Sequence, residues 1–292
     1  MQAAAPIAGN LMQTTPTSLA PVGVFDSGVG GLSVLQHIRR LLPHESLLYF
    51  ADSGFAPYGD KPKAIIVQRS LAIAQFLLAQ GIKALVVACN TATAAAISAI
   101  RQAYPSLIVI GVEPGLKPAI ALSKSGVIGV LATRRTLESH KFIALKDQLA
   151  EESKVSFLPQ PCIGLADQIE KGELQSHATT QLLQRYITPL IAQGADTLVL
   201  GCTHYPFVLP LIQQLLQQAG KPASAVNIVD TGEAVARQLE RLLKQNGHLN
   251  QENQPGSLSA YTTGPRSGLS NALGNLLKLP DAKELVQALA LG

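Results

Sequence analysis

The sequence predicts an α/β protein of two doubly wound parallel-sheet domains, related by a pseudo-twofold, with a site in the cleft between them. Three observations carry this. Short apolar runs alternate with segments of helical spacing along most of the 292 residues, the signature of a parallel sheet covered on both faces. The alternation restarts near Gly126, after a first series that ends near Val112. The stretch from Gln80 to Thr91 also recurs 113 residues later, from Gln193 to His204, with five of twelve positions identical. An echo of helix end, glycine, buried strand and cysteine implies one architecture used twice. The first domain is expected at 21–113 plus 226–292, the second at 114–225, and residues 1–20 as a flexible extension.

The elements follow in order. Val22 to Phe25 reads as a strand, Asp26 to Gly31 as a turn and Leu32 to Leu42 as a helix. Ser46 to Phe50 is a second strand, followed by a loop containing Pro57-Tyr58-Gly59 and an amphipathic helix from Lys63 to Ala79. Ala84 to Ala88 and Leu107 to Val112 are strands around a helix from Thr91 to Tyr104. In the second series, strands are expected at Gly126–Leu131, Lys154–Leu158 and Thr197–Leu200. Helices are expected across Thr133–Leu149, Leu165–Lys171, Thr179–Gln193 and Pro206–Ala219. A strand at Val226–Val229, a helix at Glu233–Gln245 and a strand at Leu258–Thr262 complete the pattern.

Composition narrows the function. With 47% hydrophobic and 14% charged residues there is ample material for packed cores, and a net charge of +4 is mild. No Lys/Arg cluster or interleaved aromatic stripe marks a nucleic-acid surface. No run of about 18 apolar residues marks a membrane span. Met1 to Ala20 lacks the charged start and apolar block of a signal peptide. Three cysteines are too few for a disulfide framework and are expected as thiols in a reducing cytoplasm.

Cys89 follows Leu85-Val86-Val87-Ala88, and Cys202 follows Leu198-Val199-Leu200-Gly201. Both are expected at the carboxyl ends of strands, where open α/β sheets bind ligands. A helix starting there lowers a thiol's pKa towards neutral, which suits general acid–base work. A single such cysteine is more often a small buried hydrophobe, but two in equivalent frames point to chemistry. Cys162 has no such frame and reads as structural. Metal binding is disfavoured, because no Cys-x-x-Cys pair or tight Cys/His cluster is present. Gly28, Gly30 and Gly31 do not complete a dinucleotide loop, since Ser33 stands where a third glycine is required. No cofactor is expected.

Asp26-Ser27-Gly28-Val29-Gly30-Gly31-Leu32, Pro57-Tyr58-Gly59, Ala88-Cys89-Asn90-Thr91-Ala92-Thr93-Ala94 and Gly201-Cys202-Thr203-His204-Tyr205-Pro206 together resemble the bacterial glutamate racemases of the aspartate/glutamate racemase family. The likeness runs from about Val22 to about Thr263. It implies interconversion of L- and D-glutamate without pyridoxal phosphate or metal, supplying D-glutamate for peptidoglycan, in a cytoplasmic homodimer. It implies Cys89 and Cys202 as opposed bases, with Asp26, His204 and Glu170 assisting; Asp167 competes with Glu170 for the place beside His204. It further implies substrate contacts from Asp26, Ser27, Tyr58, Gly59, Asn90, Thr91, Thr203 and His204. Asp230-Thr231-Gly232 and Gly264-Pro265 depart from the family pattern, away from this chemistry. Two other activities remain open: racemisation of aspartate, and thiol hydrolysis by Cys202 with His204, which would tolerate loss of Cys89.

Overall fold

Two parallel sheets, each covered by helices on both faces, make up the computed structural model, which describes residues 17–220 and 225–291. Of the extension expected at 1–20, residues 1–16 lie outside the described residues. The first series runs β1 (Val22–Asp26), α1 (Leu32–Leu41), β2 (Leu47–Ala51), α2 (Lys63–Ala79), β3 (Ala84–Val87), α3 (Asn90–Ala103) and β4 (Ile108–Gly111). The second runs α4 (Leu116–Leu122), β5 (Val127–Ala132), α5 (Arg134–Leu137), α6 (His140–Ser153), β6 (Ser156–Pro161), α7 (Leu165–Glu170), α8 (His177–Ala192), β7 (Thr197–Gly201), α9 (Leu209–Gln218) and β8 (Asn227–Val229). The chain then forms α10 (Gly232–Gln245), β9 (Leu258–Thr262), α11 (Arg266–Leu277), α12 (Ala282–Leu285) and β10 (Val286–Ala288).

The strand orders explain the sequence echo. The four-stranded sheet is ordered β6-β5-β7-β8, and the six-stranded sheet contains β2-β1-β3-β4 with β9 and β10 added beyond β2. Each therefore follows the order second, first, third, fourth, and Cys89 and Cys202 each follow the third strand. Alternation along the strands divides the cores. Val24 and Val86 face α1 and α10, whereas Phe25 and Val87 face α2 and α3. In the second sheet Leu198 and Leu200 pack towards α8 and α9, and Val199 towards α4 and α6. Period-two burial on both faces is why these strands read as continuous apolar runs.

Several boundaries differ from expectation. Strand β8 pairs with β7, register Val199↔Val229, so residues 227–229 stay with the second sheet although the sequence places the return to the first domain at 226. The apolar side chains decide this: Ile228 and Val229 pack into the second sheet's two cores. The crossing comes afterwards, at Asp230 and Thr231. The helix expected across 133–149 breaks in two because Thr133 and Ser139 each cap a helix, accepting the backbone N–H of Thr136 and Phe142. The helix expected at 206–219 begins as a 3₁₀ turn, Tyr205–Val208, before α9. Sequence reasoning does not anticipate α4, α11, α12 or β10.

Candidate active site

Asp26 ends β1 and is fully buried. Its Oδ2 accepts the Gly28 N–H at 2.9 Å, and its Oδ1 accepts the Thr203 hydroxyl at 3.1 Å from the other domain. Cys89 lies beyond β3 and caps α3, its sulfur accepting the Ala92 N–H at 3.4 Å. The same sulfur is 3.6 Å from the Ser27 hydroxyl. Thr91, the second residue of α3, shares hydroxyl contacts of 3.0 Å with Thr133 and 3.5 Å with Thr136 across the cleft. Asn90 is buried, and its side-chain N–H donors have no partner among the described residues.

Cys202 occupies the equivalent place beyond β7 but has different surroundings. A 3₁₀ turn follows it, so no α-helix starts at its sulfur. His204 takes that role, with Nδ1 3.7 Å from the Cys202 sulfur. The far ring nitrogen, Nε2, is 2.8 Å from Glu170 Oε2 at the end of α7. Glu170 is thus the acid beside His204. Its Oε2 also accepts the Val29 N–H at 2.9 Å, and Oε1 accepts the Ser53 hydroxyl at 2.9 Å. Ser33 donates to the Thr203 carbonyl at 2.8 Å.

Two glycines make this approach possible. A Cβ at Gly28 would lie 2.3 Å from Glu170 Oε2, and one at Gly30 would lie 2.3 Å from His204 Nδ1. Neither distance is tolerable, so the β1–α1 loop must be bare there for the second domain to reach it. These glycines, which the sequence places in a turn, meet a carboxylate and an imidazole.

The two thiols sit in different electrostatic fields. For Cys89, burial and then the Asp26 carboxylate push the thiol well up, against the Ala92 N–H and the Ser27 hydroxyl. This corrects the expectation that the helix N-terminus lowers it towards neutral: in a desolvated pocket with an adjacent acid, one backbone donor is outweighed. Ser27, beside the Cys89 sulfur, follows Asp26, whose Oδ1 meets Thr203, the residue after Cys202, so both sulfurs border the contact between the domains. Burial raises the Asp26 carboxyl to about 6, only partly offset by His204 and the Gly28 N–H. At His204, burial favours the neutral ring, but Cys202 and Glu170 prevail and hold the imidazolium. Glu170 is held below its ordinary value; burial opposes this, and His204, Val29 and Ser53 overcome it. One end of the cleft presents a thiol, Cys89, and the other a cation beside Cys202.

Of the residues singled out from sequence, Asp26, Ser27, Cys89, Asn90, Thr91, Cys202, Thr203, His204 and Glu170 gather along this cleft. Tyr58 does not offer its hydroxyl there, since it donates to Asp52 at 2.5 Å inside the first domain. Gly59 lies against Thr133, where a Cβ would be 3.2 Å from the threonine Cβ. Sequence reasoning misses Ser33, Ser53, Thr133 and Thr136. Nothing in a lone serine or threonine, whether in a loop (Ser53, Thr133) or in a helix (Ser33, Thr136), distinguishes these from surface residues.

The Asp/Glu/hydantoin racemase family profile matches residues 22–239. A glutamate racemase of Ectopseudomonas mendocina is 56% identical over 244 residues, covering 84% of this chain and 89% of the relative. The crystal structure of Francisella tularensis glutamate racemase in complex with D-glutamate superposes with a TM-score of 0.79 at 27% identity, covering 94% of this chain and 98% of that one. The Escherichia coli glutamate racemase, in complex with L-glutamate and the activator UDP-MurNAc-Ala, gives 0.77 at 30% identity, covering 94% and 99%. The strand order, the paired cysteine frames and this breadth of likeness agree, and the chain belongs to the Asp/Glu/hydantoin racemase family.

Proposed function

We propose that the protein interconverts L- and D-glutamate by a two-base mechanism, with Cys89 and Cys202 on opposite faces of the substrate's Cα. The observation that carries this reading is the placement of both thiols at equivalent strand ends of two sheets, bordering one cleft. A carbanion next to a carboxylate tends to regain its proton from the base that took it. Inversion is simplest when a second acid stands opposite. The electrostatics support a direction: an imidazolium stands 3.7 Å from the Cys202 sulfur, while burial and Asp26 hold Cys89 as a proton donor. In the L-to-D direction Cys202 removes the proton and Cys89 delivers a new one. Asp26 and the Glu170–His204 pair assist the two ends.

Asn90 supports the substrate assignment, since its buried, partnerless donors suit a carboxylate. Ser27, Thr91, Thr203 and the Tyr58–Gly59 backbone complete the substrate contacts. Relatives of high identity named for glutamate, and neighbours in complex with both enantiomers, favour glutamate over aspartate. A mechanism that needs two free thiols belongs in a reducing cytoplasm, and its D-glutamate would feed peptidoglycan. The domains are taken as 21–113 with the chain after β8, and 114 to the end of β8, a boundary a few residues later than the 225/226 expected from sequence.

Incubation with L-glutamate in D₂O tests the reading. Circular dichroism is expected to decay to zero as deuterium enters Cα, and Cys89→Ser and Cys202→Ser are each expected to abolish the decay. Unchanged ellipticity with folded wild-type protein, or full activity in Cys89→Ser, overturns it.

A further inference from the structure

Glu170 belongs to the second domain, yet two of its three hydrogen-bond partners come from the first. Its Oε2 is shared between His204 Nε2 at 2.8 Å and the Val29 N–H at 2.9 Å. Its Oε1 receives one bond, from Ser53 Oγ at 2.9 Å. Ser53 lies in the loop after β2, next to Asp52, and that loop is firmly held. Asp52 accepts Tyr58 at 2.5 Å, Thr263 at 2.7 Å and Arg69 Nη2 at 2.9 Å, all within the first domain. A cavity of about 180 Å³ opens beside the pair, with Ser53, Ala56 and Pro57 on one wall and Asp167, Glu170 and His204 among those on the other. Without Ser53, Oε1 faces this cavity with no donor among the described residues.

We propose that Ser53 is a positioning residue for the Cys202 end of the reaction. Its hydroxyl fixes the second oxygen of Glu170 when the domains are closed, so the carboxylate–imidazole pair is completed by a group from the opposite domain. Closure and activation of the Cys202 end are then one event, because the bond exists only when the loop after β2 meets α7. The inference rests on the roles given above to Cys202 and His204. The charged and titratable groups around His204 are Glu170 on α7, Cys202 beyond β7 and Asp26 at the end of β1, with Asp167 and Lys171 lining the same cavity. None of these donates to Oε1 among the described residues.

Ser53→Ala and Ser53→Thr in the full-length enzyme test this. A carboxylate whose second oxygen is no longer fixed turns away from the imidazole, and the charge-assisted bond between the two weakens with the lost geometry. In Ser53→Ala, the pH at which ¹⁵N-labelled His204 changes from imidazolium to imidazole is expected to fall. The basic limb of kcat/KM should move the same way, with kcat reduced about tenfold, the scale of one hydrogen bond to a charged group. Ser53→Thr keeps the hydroxyl and is expected to restore both. An unmoved His204 titration in Ser53→Ala, or failure of Ser53→Thr to restore it, overturns the proposal. Wild-type protein that does not racemise glutamate defeats the functional reading instead, and the His204 titration still judges Ser53.

Discussion

Asp26 shows what the site costs at the scale of one residue. Its carboxyl is raised from 3.8 to about 6 by burial, so the folded protein binds this proton more tightly than the unfolded chain. Stability is therefore lost as pH rises from about 4 to about 6, the reverse of the usual salt-bridged carboxylate. Asp26→Asn is expected to raise stability at pH 7 by about 2–3 kcal/mol, order of magnitude, with little gain at pH 4, while kcat/KM falls. Melting curves at the two pH values check it. His204 and Glu170 have the ordinary signs. The contribution of His204 is full below its unfolded value and is lost as pH rises through its raised one. That of Glu170 is present above its unfolded value and is lost as pH falls through its lowered one. Asn90 gives a second test: because its donors have no partner among the described residues, Asn90→Ala should leave melting nearly unchanged yet raise KM about tenfold, the scale of one hydrogen bond to a charged carboxylate. The cysteines were legible because each ends a buried strand in a repeated frame. Asp167 competes with Glu170 in the sequence because His204 lies 34 residues from Glu170, and only the course of the chain in space selects the acid that reaches it.

Among the elements, the two cysteine frames have diverged while keeping their strand. After β3 an α-helix begins at once and its Ala92 N–H meets the sulfur; after β7 a 3₁₀ turn intervenes and an imidazole replaces the backbone donor. The repeated strand could be read from sequence because it is apolar on both faces. The different helix starts could not, because Pro206 permits either form. Helix α11 escapes sequence reasoning for a related reason: Ser267-Gly268 and Ser270-Asn271 are poor helix formers, and burial of Leu269 and Leu273 against the first core supplies what propensity lacks. The β1–α1 loop carries the sharpest test at this scale. Gly30→Ala would place a methyl 2.3 Å from His204 Nδ1 and 2.7 Å from Thr203 Oγ1. Circular dichroism should report an intact fold, while kcat/KM falls about a hundredfold, as expected when a catalytic group is displaced by about 1 Å.

For the molecule as a whole, the site is a seam. Val29, Ser33, Ser53, Asp26 and Thr91 of one domain bond to Glu170, Thr203 and Thr133 of the other, so ligand and closure support each other. Saturating glutamate at about 100 times its Kd should add about 2.7 kcal/mol to unfolding, and Glu170→Ala should lose affinity because the seam is weakened. Calorimetry with and without substrate measures both. The sequence made two domains visible through the restart of its pattern, but the crossing point depended on which core receives Ile228 and Val229, a matter of packing. The unlike surroundings of the two sulfurs have a thermodynamic consequence. Mirror-image molecules have equal free energies in water, so the ratio of forward to reverse kcat/KM is one whatever the enzyme. Damage at the imidazole end must slow both enantiomers equally. What the lopsidedness sets is the protonation form in which the free enzyme waits, and hence which enantiomer it is ready to receive first.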